Sequence, residues 1–182
     1  MAPRRRLATA VLFLALCLAA SSCSLRTATA PVVESPAGPV APGLPEGVDL
    51  AIERVVDGDT VLVSGRRYVR LIGVDAPETV DPRRPVGCFG KESSGFLKSL
   101  LPEGTAVRLV GDVEQEDQYG RTLAYIYRLS DGLFVNAELI RQGFAEVLTI
   151  SPNVTHADEF VDLARQARST SKGLWSACPA PS

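Results

Sequence analysis

Asp57-Gly-Asp-Thr-Val-Leu-Val-Ser-Gly-Arg-Arg-Tyr-Val-Arg-Leu-Ile-Gly-Val-Asp-Ala-Pro-Glu78 is the stretch around which the chain is organised. Two runs rich in β-branched and aliphatic residues, Thr60–Val63 and Arg67–Val74, flank a Ser64-Gly65 turn signal, and Pro77 stops the second run. The pattern predicts a hairpin that carries three carboxylates (Asp59, Asp75 and Glu78) and one guanidinium (Arg70) at its strand edges. Strands hold such groups rigidly, and oxygen donors gathered beside a cation suit a hard metal ion and the phosphate it would neutralise. The register stays open. A turn at Ser64-Gly65 sets Asp59 opposite Arg70, whereas a turn at Gly65-Arg66 sets it opposite Ile72. The bland use of an Asp59–Arg70 pair is a cross-strand ion pair.

Outward from this stretch, Leu50–Val56 reads as a preceding strand that ends at the Asp57-Gly58 turn. Thr79–Gly90, with Arg83-Arg84, reads as a surface loop beside the carboxylates. Lys91–Leu101 has helical apolar spacing and is stopped by Pro102. Thr105–Val113 and Thr122–Tyr127 read as a second hairpin across the acidic turn Glu114–Tyr119, with Arg121 at its return. Phe134–Gly143 reads as a helix burying Val135, Leu139, Ile140 and Phe144, and Ala145–Ile150 as a short extended segment. Thr155 reads as the N-cap of a last helix whose apolar face is Phe160, Leu163, Ala164 and Ala167. Gly173-Leu-Trp175 closes that helix, with Trp175 packed on the core. Five strands, a meander and then a hairpin, with helices inserted and appended, predict an α+β domain: an OB-type five-stranded β-barrel with three packed helices.

Composition narrows the chemistry. The chain has 182 residues, 46% of them hydrophobic, enough for one domain with a real core. A single histidine, His156, excludes paired-histidine catalysis and multi-histidine zinc sites, and is expected at a cap or on the surface. Acid–base work therefore falls mainly to carboxylates. The chain holds 19 basic and 21 acidic side chains; setting aside the four arginines and two glutamates before Val48 leaves 15 against 19. So acidic a domain binds a polyanion locally rather than through a broad basic field.

Residues 1–22 have the layout of an export signal: basic Met1–Arg6, apolar Leu7–Ala20, then small residues. Ala20-Ser-Ser-Cys23 resembles a bacterial lipobox. The two fates are lipid attachment at Cys23, which the cysteine's placement favours, and ordinary cleavage near Ala20–Ser22. Both put the mature protein outside the cytoplasm, as a membrane lipoprotein or a secreted one. Residues 23–47, rich in Pro, Ala and Gly, read as a flexible tether; 48–178 form the domain and 179–182 a tail. Only Cys88 and Cys178 remain for the folded part. An oxidising compartment favours one disulfide between them, the alternative being two free thiols. Asn153-Val-Thr155 fits a glycosylation pattern, out of keeping with a bacterial lipobox.

Four segments in this order, Asp57–Val61, Arg70–Glu78, Tyr119-Gly-Arg-Thr-Leu-Ala-Tyr-Ile-Tyr127 and Val135-Asn-Ala-Glu-Leu-Ile-Arg-Gln-Gly143, resemble the thermonuclease (staphylococcal nuclease) family. The resemblance runs from about Leu50 to Trp175. It implies an OB barrel with three helices and a calcium-dependent phosphodiesterase that acts on DNA and RNA and leaves 3′-phosphate ends. It implies calcium at Asp59, Asp75 and the Ala76 carbonyl, water activation by Glu78, phosphate binding by Arg70 and Arg121, and a further phosphate contact from Tyr119. Gln118 departs from the lysine of the best-known member, and the acidic domain departs from that member's basic one. Weaker, more salt-sensitive binding is the expected result. A monomer is expected. The competing class is a non-catalytic OB-fold nucleic-acid-binding module; it should lack some of the site residues and show stacking platforms, yet aromatics are only 6% of the chain.

Overall fold

The computed structural model describes residues 41–79 and 85–178. The export signal, Cys23, most of the tether, Arg83-Arg84 and residues 179–182 lie outside the described residues. The strands are β1 (Val48–Asp57), β2 (Thr60–Val63), β3 (Arg67–Leu71), β4 (Gly73–Asp75), β5 (Ala106–Val110), β6 (Thr122–Arg128) and β7 (Glu146–Leu148). The helices are α1 (Gly90–Leu100), α2 (Val135–Arg141), α3 (Ala157–Ser169) and the short α4 (Leu174–Ala177). Five strands close a barrel in the order β1-β2-β3-β6-β5. All neighbours are antiparallel except β3 and β6. The expected OB-type α+β barrel with three helices of seven or more residues is borne out, with α4 in addition.

Alternation builds the core. Val61, Val63, Val69, Leu71, Val107, Leu109, Ala124 and Ile126 are buried, and Leu97, Leu139, Ile140 and Phe160 bring α1, α2 and α3 onto them. In β1 the alternation breaks: Leu50 and Ile52 are buried, then Val55 and Asp57, with a register shift between Ile52 and Arg54. A bulge adds one residue and reverses the faces beyond it. It turns Arg54 outward; a second register shift, between Val55 and Asp57, sets the buried Asp57 opposite Thr60.

Four expectations need correction. The run Arg67–Val74 is two strands, not one. Gly73, at φ +78°, breaks it, and a Cβ there would meet the Phe160 ring at 2.3 Å. The chain thus leaves the barrel so that α3 can pack, and β4 pairs with β7. The carbonyl of Ile72, freed by the break, accepts from the buried Asn136 Nδ2 at 2.9 Å, while Asn136 Oδ1 accepts from the Ile126 amide. Second, neither expected hairpin register forms. The turn has three residues, with Gly65 and Arg66 both at positive φ, so Val63 pairs with Arg67 and Thr60 with Arg70. Third, His156 occupies the N-cap position of α3, with no side-chain cap bond. The Thr155 hydroxyl and amide instead donate to Asp112. Fourth, Trp175 is only half-buried, under the Arg168 guanidinium at 4.1 Å, and Leu174 is the buried anchor.

Two further details sharpen the boundaries. Before Val48, the Ala41 amide donates to the Leu129 carbonyl and the Pro45 carbonyl accepts from Arg108, so the end of the tether lies on the barrel. Cys88 and Cys178 are disulfide-bonded, with Cα atoms 5.9 Å apart. The bond joins the segment before α1 to the end of α4.

Candidate active site

The ends of three strands meet at one cleft. Asp57-Gly-Asp59 is the turn between β1 and β2, Arg70 sits near the end of β3, and Asp75 ends β4. The parallel pairing of β3 with β6 begins at Val69 and Thr122, which brings Arg121 alongside β3. A cavity of about 540 Å³ is lined by Asp57, Asp59, Arg70, Asp75, Ala76, Glu78 and Arg121, together with Val56, Thr60, Tyr68 and Pro77.

Arg70 is the hub. Its Nη1 lies 2.9 Å from Asp59 Oδ2 and donates to the Val74 carbonyl at 2.7 Å; its Nη2 lies 3.2 Å from Asp75 Oδ1. Although Thr60 is its strand partner, Arg70 still reaches Asp59, because the acid sits at the turn end one residue back. Its Nε–H donates to nothing among the described residues, which leaves that edge of the guanidinium for a phosphoryl oxygen. Arg121 is held the opposite way: its Nε donates to Asp117 Oδ2 at 2.7 Å, and neither Nη nitrogen holds an acceptor among the described residues. The two arginines therefore offer complementary donors to one group.

Asp59 is buried. Its Oδ1 accepts from Thr60 Oγ1 and its Oδ2 from the Ala76 amide. Burial pushes its carboxyl above the usual range, and the nearby Arg70 only partly opposes this. A buried carboxylate still short of positive charge is what a hard cation would satisfy. Among the described residues no three acidic, histidine or cysteine side chains group closely enough to hold a metal alone. Asp59, Asp75 and the Ala76 carbonyl are all oxygen donors, a set whose chemistry suits a hard cation.

Sequence reasoning missed two residues. Asp57 is buried; its Oδ1 accepts from the Gly58 amide and Thr79 Oγ1, and its Oδ2 from the Thr79 amide. It thereby anchors the residue after Glu78, whose own carbonyl accepts from the Gly87 amide at 2.8 Å. Asp117 accepts from the Tyr119 and Arg121 amides as well as the Arg121 side chain. Burial would raise its carboxyl, but these bonds and the Arg121 charge hold it below the ordinary value. The i, i+2, i+4 spacing of Asp117, Tyr119 and Arg121 was the available signal.

Tyr119 is 75% exposed, with the Arg121 guanidinium 5.4 Å from its ring centroid. It lines a second cavity of about 320 Å³ with Leu123, Leu148, Ile150, Arg70 and Arg121. His156 stays away from the cleft: it packs edge-on against Tyr125 at 4.6 Å, and its Nδ1 contacts Glu159. Asn153 is buried and bonded to the Glu114 backbone, which withdraws it from any glycosylation role.

A closed, helix-flanked barrel of OB type thus carries a cleft that gathers carboxylates and two arginines. The family model for staphylococcal nuclease homologues matches residues 68–177. The thermonuclease of Staphylococcus hyicus is 40% identical over 126 residues, which cover 68% of this chain and 73% of that protein. The thermonuclease of Staphylococcus intermedius is 39% identical over 132 residues, covering 71% and 77%. Endonuclease YhcR of Bacillus subtilis (strain 168) is 36% identical over 154 residues, covering 79% of this chain but only 12% of that longer protein. The chain belongs to the thermonuclease (staphylococcal nuclease) family.

Proposed function

We propose that the protein is a calcium-dependent nuclease that hydrolyses phosphodiester bonds of DNA and RNA and leaves 3′-phosphate ends. One observation carries the reading: Asp59, Asp75, Glu78, Arg70 and Arg121 line a single cavity, although they come from four separate segments. Phosphodiesters resist attack because their charge repels the nucleophile, and more charge gathers on the phosphoryl oxygens as the bond forms. Arg70 through Nε and Arg121 through its Nη groups bind those oxygens, and a preorganised arginine in phosphoryl transfer is worth about 10³–10⁵ in rate. Glu78 takes the proton from the attacking water, worth about 10²–10⁴. The water oxygen bonds to phosphorus, the bond from phosphorus to the 5′ oxygen breaks, and that oxygen takes up a proton. Calcium held by Asp59, Asp75 and the Ala76 carbonyl would neutralise charge on the phosphate and lower the pKa of nearby water. Leu123, Leu148 and Ile150 offer a base an apolar wall beside the arginines.

Denatured DNA and RNA incubated with the protein and calcium should yield acid-soluble fragments with 3′-phosphate ends. Chelator and Glu78→Gln should each abolish the reaction. Undiminished cleavage in chelator would overturn the metal requirement. A non-catalytic module would instead hold oligonucleotides without cutting them under any condition.

The reading includes export. The signal-like residues 1–22 and the bonded Cys88–Cys178 pair support a place outside the cytoplasm. Attachment to the bacterial membrane is assigned to lipid on Cys23, and the domain is taken as a monomer. Mass spectrometry of the mature N-terminus should find diacylglycerol on Cys23; an unmodified terminus near Ser21 would show release instead.

A further inference from the structure

We infer that Arg54 and Tyr68 form a second nucleoside subsite, which takes the sugar, base and next phosphate on the far side of the scissile bond. The inference rests on the nuclease reading and adds a place for the half of the substrate that the smaller cavity does not hold. A phosphodiester carries one nucleoside on each ester oxygen. The two cavities meet at Arg70 and Arg121, which line both. If one base lies against Leu148 and Ile150, the other must leave through the larger cavity, whose lining includes the aromatic ring of Tyr68.

Three observations give that lining a ligand. Arg54, Leu62 and Tyr68 stand in one row across β1, β2 and β3, two rows from Thr60–Arg70 with the inward Val61–Val69 row between them. Side chains two residues apart share a face, so Tyr68 follows Arg70 on the outer surface, about 7 Å along β3. Arg54 reaches that face only through the bulge in β1, which places an arginine where the strand's alternation calls for a core residue.

The second observation is charge. In this acidic domain every other arginine among the described residues holds a carboxylate, whereas Arg54 and its hairpin neighbours Arg66 and Arg67 hold none. Glu53, the nearest acid in sequence, accepts from the Arg66 amide. The Arg54 guanidinium has only the Tyr68 hydroxyl, at 3.5 Å, which leaves most of its donors for a phosphate. The third is shape: Tyr68 is 44% exposed, an aromatic side chain in the lining of the larger cavity with a cation beside it. A base stacks on such a ring while its phosphate meets the guanidinium.

The test compares full-length wild type with Arg54→Ala, Tyr68→Ala and Tyr68→Phe on two substrates, a dinucleotide and the methyl phosphodiester of a single nucleotide. Tyr68→Ala should narrow the wild-type preference for the dinucleotide about tenfold, mainly through KM, and Tyr68→Phe should restore it. Arg54→Ala should lower the slope of log KM against log salt for single-stranded DNA by about 0.7. A dinucleotide preference unchanged in both alanine variants, with wild type active, overturns the subsite alone. A wild type that cleaves neither substrate with calcium present overturns the nuclease reading and the subsite with it. Phosphatidylglycerol vesicles that bind wild type and not Arg54→Ala, beside an unchanged dinucleotide preference, assign the strip to the membrane surface and overturn the proposal.

Discussion

Glu78 belongs to no strand, so its position depends on what grips the backbone around it. Thr79 is bonded to Asp57 through both amide and hydroxyl, and the Glu78 carbonyl is bonded to Gly87. Asp57→Ala should therefore lower kcat about tenfold with little change in KM. It should also cost about 1–3 kcal/mol of stability, because buried donors lose their acceptor; steady-state kinetics and urea unfolding measure the two effects separately. Arg70→Lys tests a different property. Lysine keeps the charge but has no fork to span Asp59, Asp75 and phosphate at once. A fall in kcat on the order of 10³ is expected, with the circular dichroism spectrum retained. A loss under tenfold would mean that Arg70 acts as a simple countercharge.

Among the elements, the turn from Asp117 to Arg121 and the disulfide each hold a piece of chain in place. Asp117 occupies the Arg121 Nε and so aims the Nη groups. Asp117→Ala should reduce kcat roughly tenfold and leave β5 and β6 intact, which hydrogen exchange of their amides would show. The Cys88–Cys178 bond spans a sequence separation of 90 residues. Its chief effect is to restrict the unfolded chain, so reduction should cost about 3–5 kcal/mol, read as a lower urea midpoint. The element scale is also where sequence reading fell short. Strand types and helix faces followed from alternation and period, but the break at Gly73, the three-residue turn and the bulge at Arg54 did not. Gly73 depends on a partner remote in sequence, Phe160, whereas the turn and the bulge lie between neighbouring strands, where a one-residue choice of pairing is not visible in alternation alone.

For the whole molecule, acid is the informative variable. Hydrogen bonding by Arg108 lowers the Asp49 carboxyl. Hydrogen bonding by Arg128 does the same for Asp131. At Asp112 burial would raise the carboxyl, but bonds from Thr155, Tyr125 and Val113 outweigh it and lower it. A carboxyl depressed in the folded state contributes stability above its unfolded pKa and loses that contribution as pH falls through the folded value. The melting temperature should hold above about pH 4 and drop between about pH 4 and 2. Asp59 works the other way: its raised carboxyl binds a proton more tightly when folded, which offsets part of the loss. Asp112→Asn should make the acid drop shallower; an unchanged pH profile would remove Asp112 from the set.

The chain's local chemistry picked out Asp59, Arg70, Asp75 and Glu78, each in a short motif whose neighbours limit its backbone: a turn before Asp59, a strand under Arg70, a proline between Asp75 and Glu78. Arg121 joined them only through the family resemblance. Strand alternation and helix period report which faces are buried and so suited a small β-barrel; the resemblance made it an OB barrel, and the structure closes it. Only the folded structure decided how these groups serve one another. Closing the barrel with a parallel β3–β6 pair brings Arg121 beside Arg70 across some fifty residues of chain. Two register shifts in β1 leave Arg54 outward beside Tyr68 and Asp57 buried, holding Thr79. The break at Gly73 is settled by packing against distant α3, and the hairpin register by a turn with two residues at positive φ, which strand alternation does not report.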